Sequence, residues 1–266
     1  MQINLIPYGG LGNRMRAIAS VYQYAIDNNH TLVVYWNRQK DFNQSFKKLF
    51  QHTDRFKVVD RYIGFIHNHP YKANLFLPAL FDTIIKRDSY YFIEQDQFIP
   101  IVENAVKKNK KEITISTCYQ HGDMFHLDKI FKPTPKIQCM IDCLHSQFGE
   151  ETIGCHIRRT DNIDSIKHSK TDYFVEIISQ HISNKPDNKV FLCTDDTVTK
   201  EELIQKFGNK IITYQSKLNR FTPAGINDAV VELYTLAQTN VIYGSYNSSY
   251  SDIASKIFGR ELKILQ

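Results

Sequence analysis

The stretch that most constrains this chain is its first 36 residues. "QINLIP" is a short apolar run, and "YGGLGN" after it is a turn with glycine at positions 9, 10 and 12. From Arg14 onward, Met15, Ile18, Ala19, Tyr22, Ala25 and Ile26 recur at helical spacing. "DNNH" supplies turn formers, and "TLVVYW" is a second apolar run. Strand, helix and strand in so short a span make a βαβ unit, and that unit requires a parallel sheet.

The same alternation returns after "KPTPK" at 132–136, the most linker-like stretch of the chain. "TIGCHI", "KVFLCT", "KIIT" and "VIYG" read as strands. "YFVEIISQHI", "VTKEELIQKFG" and "NDAVVELYTLAQT" read as helices, "RRTDNIDSIKHSKTD" as a long polar loop, and "SYNSSYSDIASKIFG" as a loop opening into a last helix. Residues 37–150 are less regular. There, "FKVVDRYIGFI", "YYFIEQDQFI" and "KEITIST" are candidate strands, and "FLPALFDTIIKR" and "KIQCMIDCLHSQF" candidate helices. The reading is an α/β chain of two βα-rich halves, with domains at 1–140 and 141–266.

Composition narrows the function classes. A net charge of +5 is too small a bias to argue for nucleic acid, and the arginines gather at strand ends instead of along a stripe. No apolar run approaches the length needed to span a bilayer. Met1 runs straight into a strand, so the expected location is the cytoplasm, with peripheral membrane contact left open. Cys118, Cys139, Cys143, Cys155 and Cys193 contain no C-x-x-C pair and read as buried free thiols. Cys139 and Cys143 could share a helix face, but no further ligand completes a zinc set. "HNHPY" at 67–71 reads as exposed loop, and Trp36, Tyr71, Tyr90 and Tyr91 as core residues.

In open α/β sheets, ligands bind beyond the carboxyl ends of the strands, so the residues there carry the functional argument. The first strand is followed by Gly9–Arg14, "TIGCHI" by Arg158, Arg159, Thr160 and Asp161, "KVFLCT" by Asp195 and Asp196, and "VIYG" by Ser245–Ser249. Bare N–H groups of a glycine turn at a helix start favour an anion, although the same turn can serve a strand-to-helix connection alone. It is not a Walker A loop, because the G-K-S/T ending is missing, nor a dinucleotide fingerprint, because position 15 is Met. The paired arginines offer donor forks suited to phosphate, or a surface ion pair. On extended backbone they point opposite ways, so one is expected at the site and the other bracing the loop through Asp161. Asp195 and Asp196 can accept from a ribose or from the adjacent N–H donors of guanine, or can cap the following helix. The Ser245–Ser249 cluster is a phosphate cradle or a capping segment.

Taken in order, these loops resemble the fucosyltransferase superfamily of nodulation fucosyltransferases, α1,6-fucosyltransferases and protein O-fucosyltransferases. "GGLGNR" is similar to the N-terminal glycine motif, "HIRRTD" to the first shared motif, and "FLCTDD" and "GSYNSSYSDIA" to the second and third. The resemblance implies a GT-B architecture of two facing Rossmann-like domains with parallel sheets. It implies inverting transfer of L-fucose from GDP-fucose to a glycan hydroxyl, with no cofactor and no metal. It places Arg158 on the β-phosphate and His156 and Asp195 at the guanosine. Ser248 or a neighbour (Ser245, Ser249) falls on the phosphates, and Gly10, Gly12, Asn13 and Arg14 on the diphosphate or fucose. Asp161 belongs to the same motif. Asn162 stands where some members carry a cation, and Asp164 falls where the α1,6 enzymes have a proposed base. The partners implied are a nucleotide sugar and a glycan acceptor. A non-catalytic GDP-sugar-binding module and a transferase for another nucleotide sugar remain alternatives. Acceptor, linkage and oligomeric state are not legible.

Overall fold

The structure, a computed structural model, describes residues 1–39, 42–64, 88–90, 93–185, 187–215 and 222–266. The chain divides into two compact units, Met1–Lys132 with Phe221–Ile226 and Pro133–Arg220 with Asn227–Gln266. The division falls inside "KPTPK" and not at 140/141. The helix Pro135–His145 therefore belongs to the second unit, with Pro135 at its first position and Ile137, Ile141 and Leu144 buried.

The first unit is built on a parallel sheet of β1 (Gln2–Pro7), β2 (Thr31–Gln39), β3 (Lys57–Gly64), β4 (Ser89–Tyr90) and β5 (Glu112–Thr117), in the order β3-β2-β1-β5-β4. Gln2 registers with Thr31 on one side and with Glu112 on the other, which sets β1 at the centre. The expected βαβ unit is present, with the helix Leu11–Asp27 burying Met15, Ile18, Ala19 and Ala25. Ile26 departs from the expected stripe and is exposed. Of the candidate strand "YYFIEQDQFI", only Tyr90 falls in a described strand. Residues 95–97 form a turn, and the helix Phe98–Lys107 follows. The candidate helix "FLPALFDTIIKR" and "HNHPY" lie outside the described residues, as do Tyr71 and Tyr91. Trp36 is fully buried among Phe42 and Phe46, as expected of a core residue.

The second unit carries β6 (Thr152–Ile157), β7 (Lys189–Thr194), β8 (Ile211–Thr213), β9 (Val241–Ser245) and β10 (Glu261–Leu265), all parallel, in the order β10-β9-β6-β7-β8. Ile153, Cys155, Ile157, Val190 and Leu192 from the sheet bury against Phe174 and Ile178 of the helix Thr171–Asn184 and Leu203 of the helix Thr197–Phe207. Because β7 and β9 lie on opposite sides of β6, the chain reverses its direction of winding between β6 and β9. That reversal opens a crevice at the carboxyl ends of these two strands, the usual ligand position in such sheets.

Candidate active site

The loops that leave β6 and β9 are tied together at this crevice. Ser245 is fully buried, and its Oγ accepts from the backbone N–H of Arg158 at 3.0 Å and donates to His156 O at 3.2 Å. Asn162 Nδ2 donates to Asn247 O at 3.0 Å, Ser165 Oγ to Tyr246 O at 2.5 Å, and the Tyr246 N–H to Ser169 Oγ at 2.7 Å. Asn247 sits at φ 52°, in the left-handed region that the tight turn after β9 requires. The expected long polar loop after β6 thus contains a helix, Ile163–His168. It is capped by Asn162, whose Oδ1 accepts from the Ser165 N–H at 3.1 Å.

The two arginines divide their work, though not as expected. Arg158 forms ion pairs with Asp161 and, at 3.1 Å from Nη1, with Asp195 Oδ2. Arg159 is the brace. It donates from Nη2 to Ser169 O at 2.6 Å, from Nη1 to Arg158 O at 2.8 Å, and from Nε to Thr171 Oγ1 at 3.1 Å. Asp161 is therefore the partner of the outward arginine, and the bracing contacts come from the far end of the loop.

The two aspartates after β7 also separate. Asp196 caps the helix Thr197–Phe207, accepting from the Thr199 hydroxyl at 2.6 Å and from its N–H at 2.8 Å, and these two contacts, the hydroxyl first, hold its carboxyl below the usual carboxylate range. Asp195 caps nothing. Its Oδ1 accepts from the Arg159 N–H at 2.7 Å, and its Oδ2 from Thr160 Oγ1 at 2.5 Å as well as from Arg158. Both oxygens are committed to the β6 loop, so Asp195 positions Arg158 and is poorly placed to accept from a base.

A different carboxyl has spare capacity. Glu232, on the helix Pro223–Leu236, is 9% exposed, and its Oε1 has no hydrogen-bond partner. Burial pushes it up to about 8, with Lys200 opposing and Asp228 adding to the shift. His156 is likewise buried with Nδ1 unpartnered, and burial, reinforced by Arg158, lowers it to about 4, so the ring is neutral. Tyr250 links the two. Its ring centroid lies 4.8 Å from that of His156, its hydroxyl donates to Ala229 O one turn before Glu232, and its ionisation is opposed first by burial and then by Glu232, with Arg158 favouring it. Sequence reasoning missed Glu232. The signal was there: it is the lone acid inside the apolar run "AVVELYTLA".

The third loop supplies anion-binding geometry. Ser248 precedes the helix Ser249–Ile257 and makes no side-chain cap bond, so capping is not its role. The first-turn N–H groups of this helix have no helical partner and carry the positive end of its dipole. The helix can approach β9 because position 244 is glycine; a Cβ there would lie 2.5 Å from Ser251 Oγ. The structure thus brings together His156, Arg158, Asp161, Asp195, Ser245, Ser248 and Ser249. Asp164 is exposed in the first turn of the helix Ile163–His168.

In the first unit, Gly9 adopts φ +79°, and Gly10 opens the helix Leu11–Asp27 with open space around its Cα. Gly12 is buried in that helix and Asn13 half-buried. Arg14 departs from the donor-contact expectation. It is 1% exposed, donates from Nε to Gly9 O at 2.9 Å and from Nη1 to Asn37 O at 3.1 Å, and stacks 4.2 Å from the Phe42 ring centroid. Its charge is spent on holding the glycine turn in shape.

All five cysteines are free. Cys155 and Cys193 are buried as expected, but Cys139 and Cys143 are exposed, because they occupy the outer face of the helix Pro135–His145. Among the described residues, no group of three or more His, Cys, Asp or Glu side chains could hold a metal ion, and no helix is long and apolar enough to cross a membrane.

Comparison with known proteins bears out the resemblance read from the motifs. No family model matches the chain. Probable fucosyltransferase 9 of Arabidopsis thaliana is 22% identical over 304 residues, covering 98% of this chain. The chain spans 60% of the length of that curated relative. Among solved structures, POFUT1 in complex with GDP-fucose superposes with a TM-score of 0.62 at 13% identity, covering 99% of this chain and 97% of that one. A variant of Arabidopsis thaliana FUT1 in complex with GDP gives 0.63 at 14% identity, with 99% and 69% covered. NodZ alpha-1,6-fucosyltransferase soaked with GDP-fucose gives 0.60 at 18% identity, with 96% and 92% covered. The chain has the α/β fold of these fucosyltransferases, with two parallel five-stranded sheets flanked by helices.

Proposed function

We propose that this chain is a fucosyltransferase that binds GDP-fucose at the carboxyl ends of β6 and β9 and transfers L-fucose to a hydroxyl acceptor, a glycan in the reading favoured here. The observation that carries the proposal is the arrangement around Arg158. A guanidinium preset by two carboxylates and the start of the helix Ser249–Ile257 stand beside two buried side chains with unpartnered polar atoms, His156 and Glu232. The first pair suits a diphosphate. The second suits a base, because a carboxylate with a free oxygen matches the adjacent N1–H and N2–H donors of guanine. In this proposal Glu232 takes the guanine contact that the sequence assigned to Asp195. The relatives support the reading, since those named above are fucosyltransferases and two are solved with GDP-fucose.

The chemistry asks the protein to make GDP leave. Negative charge grows on the diphosphate as the bond to the sugar carbon breaks. Arg158, the N–H groups at the start of the helix Ser249–Ile257, and the hydroxyls of Ser248 and Ser249 would meet that charge with preorganised donors. Such a donor set does for the leaving group what a divalent cation does elsewhere, so the proposal includes transfer without a required metal. It also includes inversion, with the acceptor hydroxyl attacking from the face opposite the diphosphate and Asp164 taking its proton. In the first unit, Arg14 is assigned to holding the turn at Gly9 and Gly10, whose backbone has the form of an anion-facing helix start.

Titration of the protein with GDP, UDP and ADP, followed by incubation with GDP-fucose, tests this reading. Preference for GDP together with release of fucose, even without an acceptor, is the expected result. Tight GDP binding with no turnover over any acceptor would instead favour a non-catalytic GDP-sugar-binding module, and preference for UDP would point to another nucleotide sugar.

A further inference from the structure

Lys200 is a lysine in an unusual place. It lies in the first turn of the helix Thr197–Phe207, with its N–H on Asp196 O, and is only 7% exposed. Lysine is almost never this buried unless it is paired. Its Nζ donates to Tyr214 O at 2.6 Å, which uses one of three ammonium protons. Tyr214 directly follows β8, so the side chain crosses from the end of β7 to the end of the neighbouring strand. Glu232 reaches the same place from another element. Cys193, the last residue but one of β7, brings its Sγ to 3.8 Å from Glu232 O. Asp228, one turn earlier on the Glu232 helix, is already taken by the Tyr214 hydroxyl. Lys200 and Glu232 are near enough to feel each other's charge, and both act on Cys193. Yet among the described residues they do not pair. The ammonium keeps to Tyr214 O, and Glu232 Oε1 has no partner.

A buried ammonium and a buried carboxyl left apart each keep their desolvation cost, which closing on each other would offset. A ligand with an acceptor beside two donors offsets it equally well by bridging them. Guanine has that order along one edge, where O6 accepts and N1–H and N2–H donate. Adenine reverses it, with a donor amine at position 6 and an acceptor at N1. Uracil matches at O4 and N3–H but sets O2 against the carboxylate. We propose that Lys200 reads O6 of the guanine whose N1–H and N2–H meet Glu232, and so rejects bases that carry an amino group at position 6. Lys200 thereby adds specificity to the guanine site proposed above, and its role rests on that site.

The test is calorimetric binding of GDP, 6-thioguanosine diphosphate and inosine diphosphate to the full chain and to Lys200→Met. The thio nucleotide keeps N1–H and N2–H and exchanges O6 for a poor acceptor. The inosine nucleotide keeps O6 and N1–H and lacks the 2-amino group. The wild type is expected to prefer GDP over each by about ten-fold or more. Lys200→Met should bind GDP about 10–100-fold more weakly, the scale of a hydrogen bond to a charged group, and should lose the preference over the thio nucleotide. Its preference over inosine diphosphate should persist, because that one reads Glu232. A lysine that only holds the Tyr214 carbonyl would weaken all three nucleotides alike and keep both preferences; that result overturns the role of Lys200 and leaves the guanine site standing. Equal binding of GDP and the thio nucleotide by the wild type overturns it too, without relying on the fold of any variant. Failure of the wild type to bind any of the three removes the guanine site itself, and the role of Lys200 with it.

Discussion

Arg158 and Asp195 lie at the carboxyl ends of adjacent strands, β6 and β7, with Nη1 3.1 Å from Oδ2. That pairing joins what the sequence shows as two separate motifs. Asp195 also accepts from the backbone of Arg159, so one carboxylate fixes both the path of the loop and the direction of the guanidinium.

Replacing Arg158 with Ala should cost about 10²–10³-fold in turnover of GDP-fucose, the usual scale for losing a preorganised donor to developing charge. Arg158→Lys should recover only part of it, because a point charge cannot hold Asp161 and Asp195 together while also meeting phosphate. Single-turnover hydrolysis of the donor measures the step, and an unchanged rate in Arg158→Ala would refute the leaving-group role.

Asp195→Ala should act through position and not through contact with the nucleotide. It strands the Arg159 N–H and the Thr160 hydroxyl and frees Arg158 to swing. A stability loss of about 1–3 kcal/mol is expected by chemical denaturation, together with slower turnover. Asp195→Asn, which keeps one acceptor oxygen, should restore more of the stability than of the rate.

Glu232 sets a pH dependence for guanine nucleotide binding. In the free protein burial raises its carboxyl to about 8, so at pH 7 it is mostly protonated. Accepting from N1–H and N2–H requires the carboxylate, so binding at pH 7 releases a proton. Affinity for GDP should therefore rise with pH, by up to about ten-fold per unit below 8, and level off above it. The stability sign is opposite. A folded-state value above the unfolded one means the contribution is complete below the ordinary carboxylate range and is lost as pH rises through about 8. Calorimetry of GDP binding from pH 6 to 9 checks the first slope, and Glu232→Gln should flatten it.

Arg14→Met should destabilise the first unit by about 2–4 kcal/mol, since it removes the buried hydrogen bonds to Gly9 O and Asn37 O and the guanidinium stacked on Trp36 and Phe42. Thermal denaturation without ligand measures it. A melting temperature equal to that of the wild type would mean that Arg14 is not a structural brace.

How much of this was legible follows from the kind of signal each residue carried. The βαβ start and the strand ends were readable because hydrophobic period and glycine placement are local properties. Asp195 and Asp196 are neighbours with the same chemistry, and only the loop from β6 closing over Asp195 separates a positioning residue from a cap. Arg14 looked like an anion ligand because the sequence does not show Trp36 and Phe42 folding over it. The helix Ile163–His168 was hidden by its polar composition, and its buried serines are fastened by residues some eighty positions away. Glu232 lies on a helix legible only through its apolar positions, and β10 is an edge strand that shows little alternation when half exposed. The least regular stretch, 37–150, includes a two-residue strand whose place depends on pairing with β5 and not on its own sequence.

The most direct measurement is a crystal structure of the protein with GDP. The account predicts the β-phosphate within hydrogen-bond reach of the Arg158 guanidinium and the first turn of the helix Ser249–Ile257, and the guanine edge on Glu232. A nucleotide bound away from the carboxyl ends of β6 and β9, or a guanine that leaves Glu232 untouched, would contradict it.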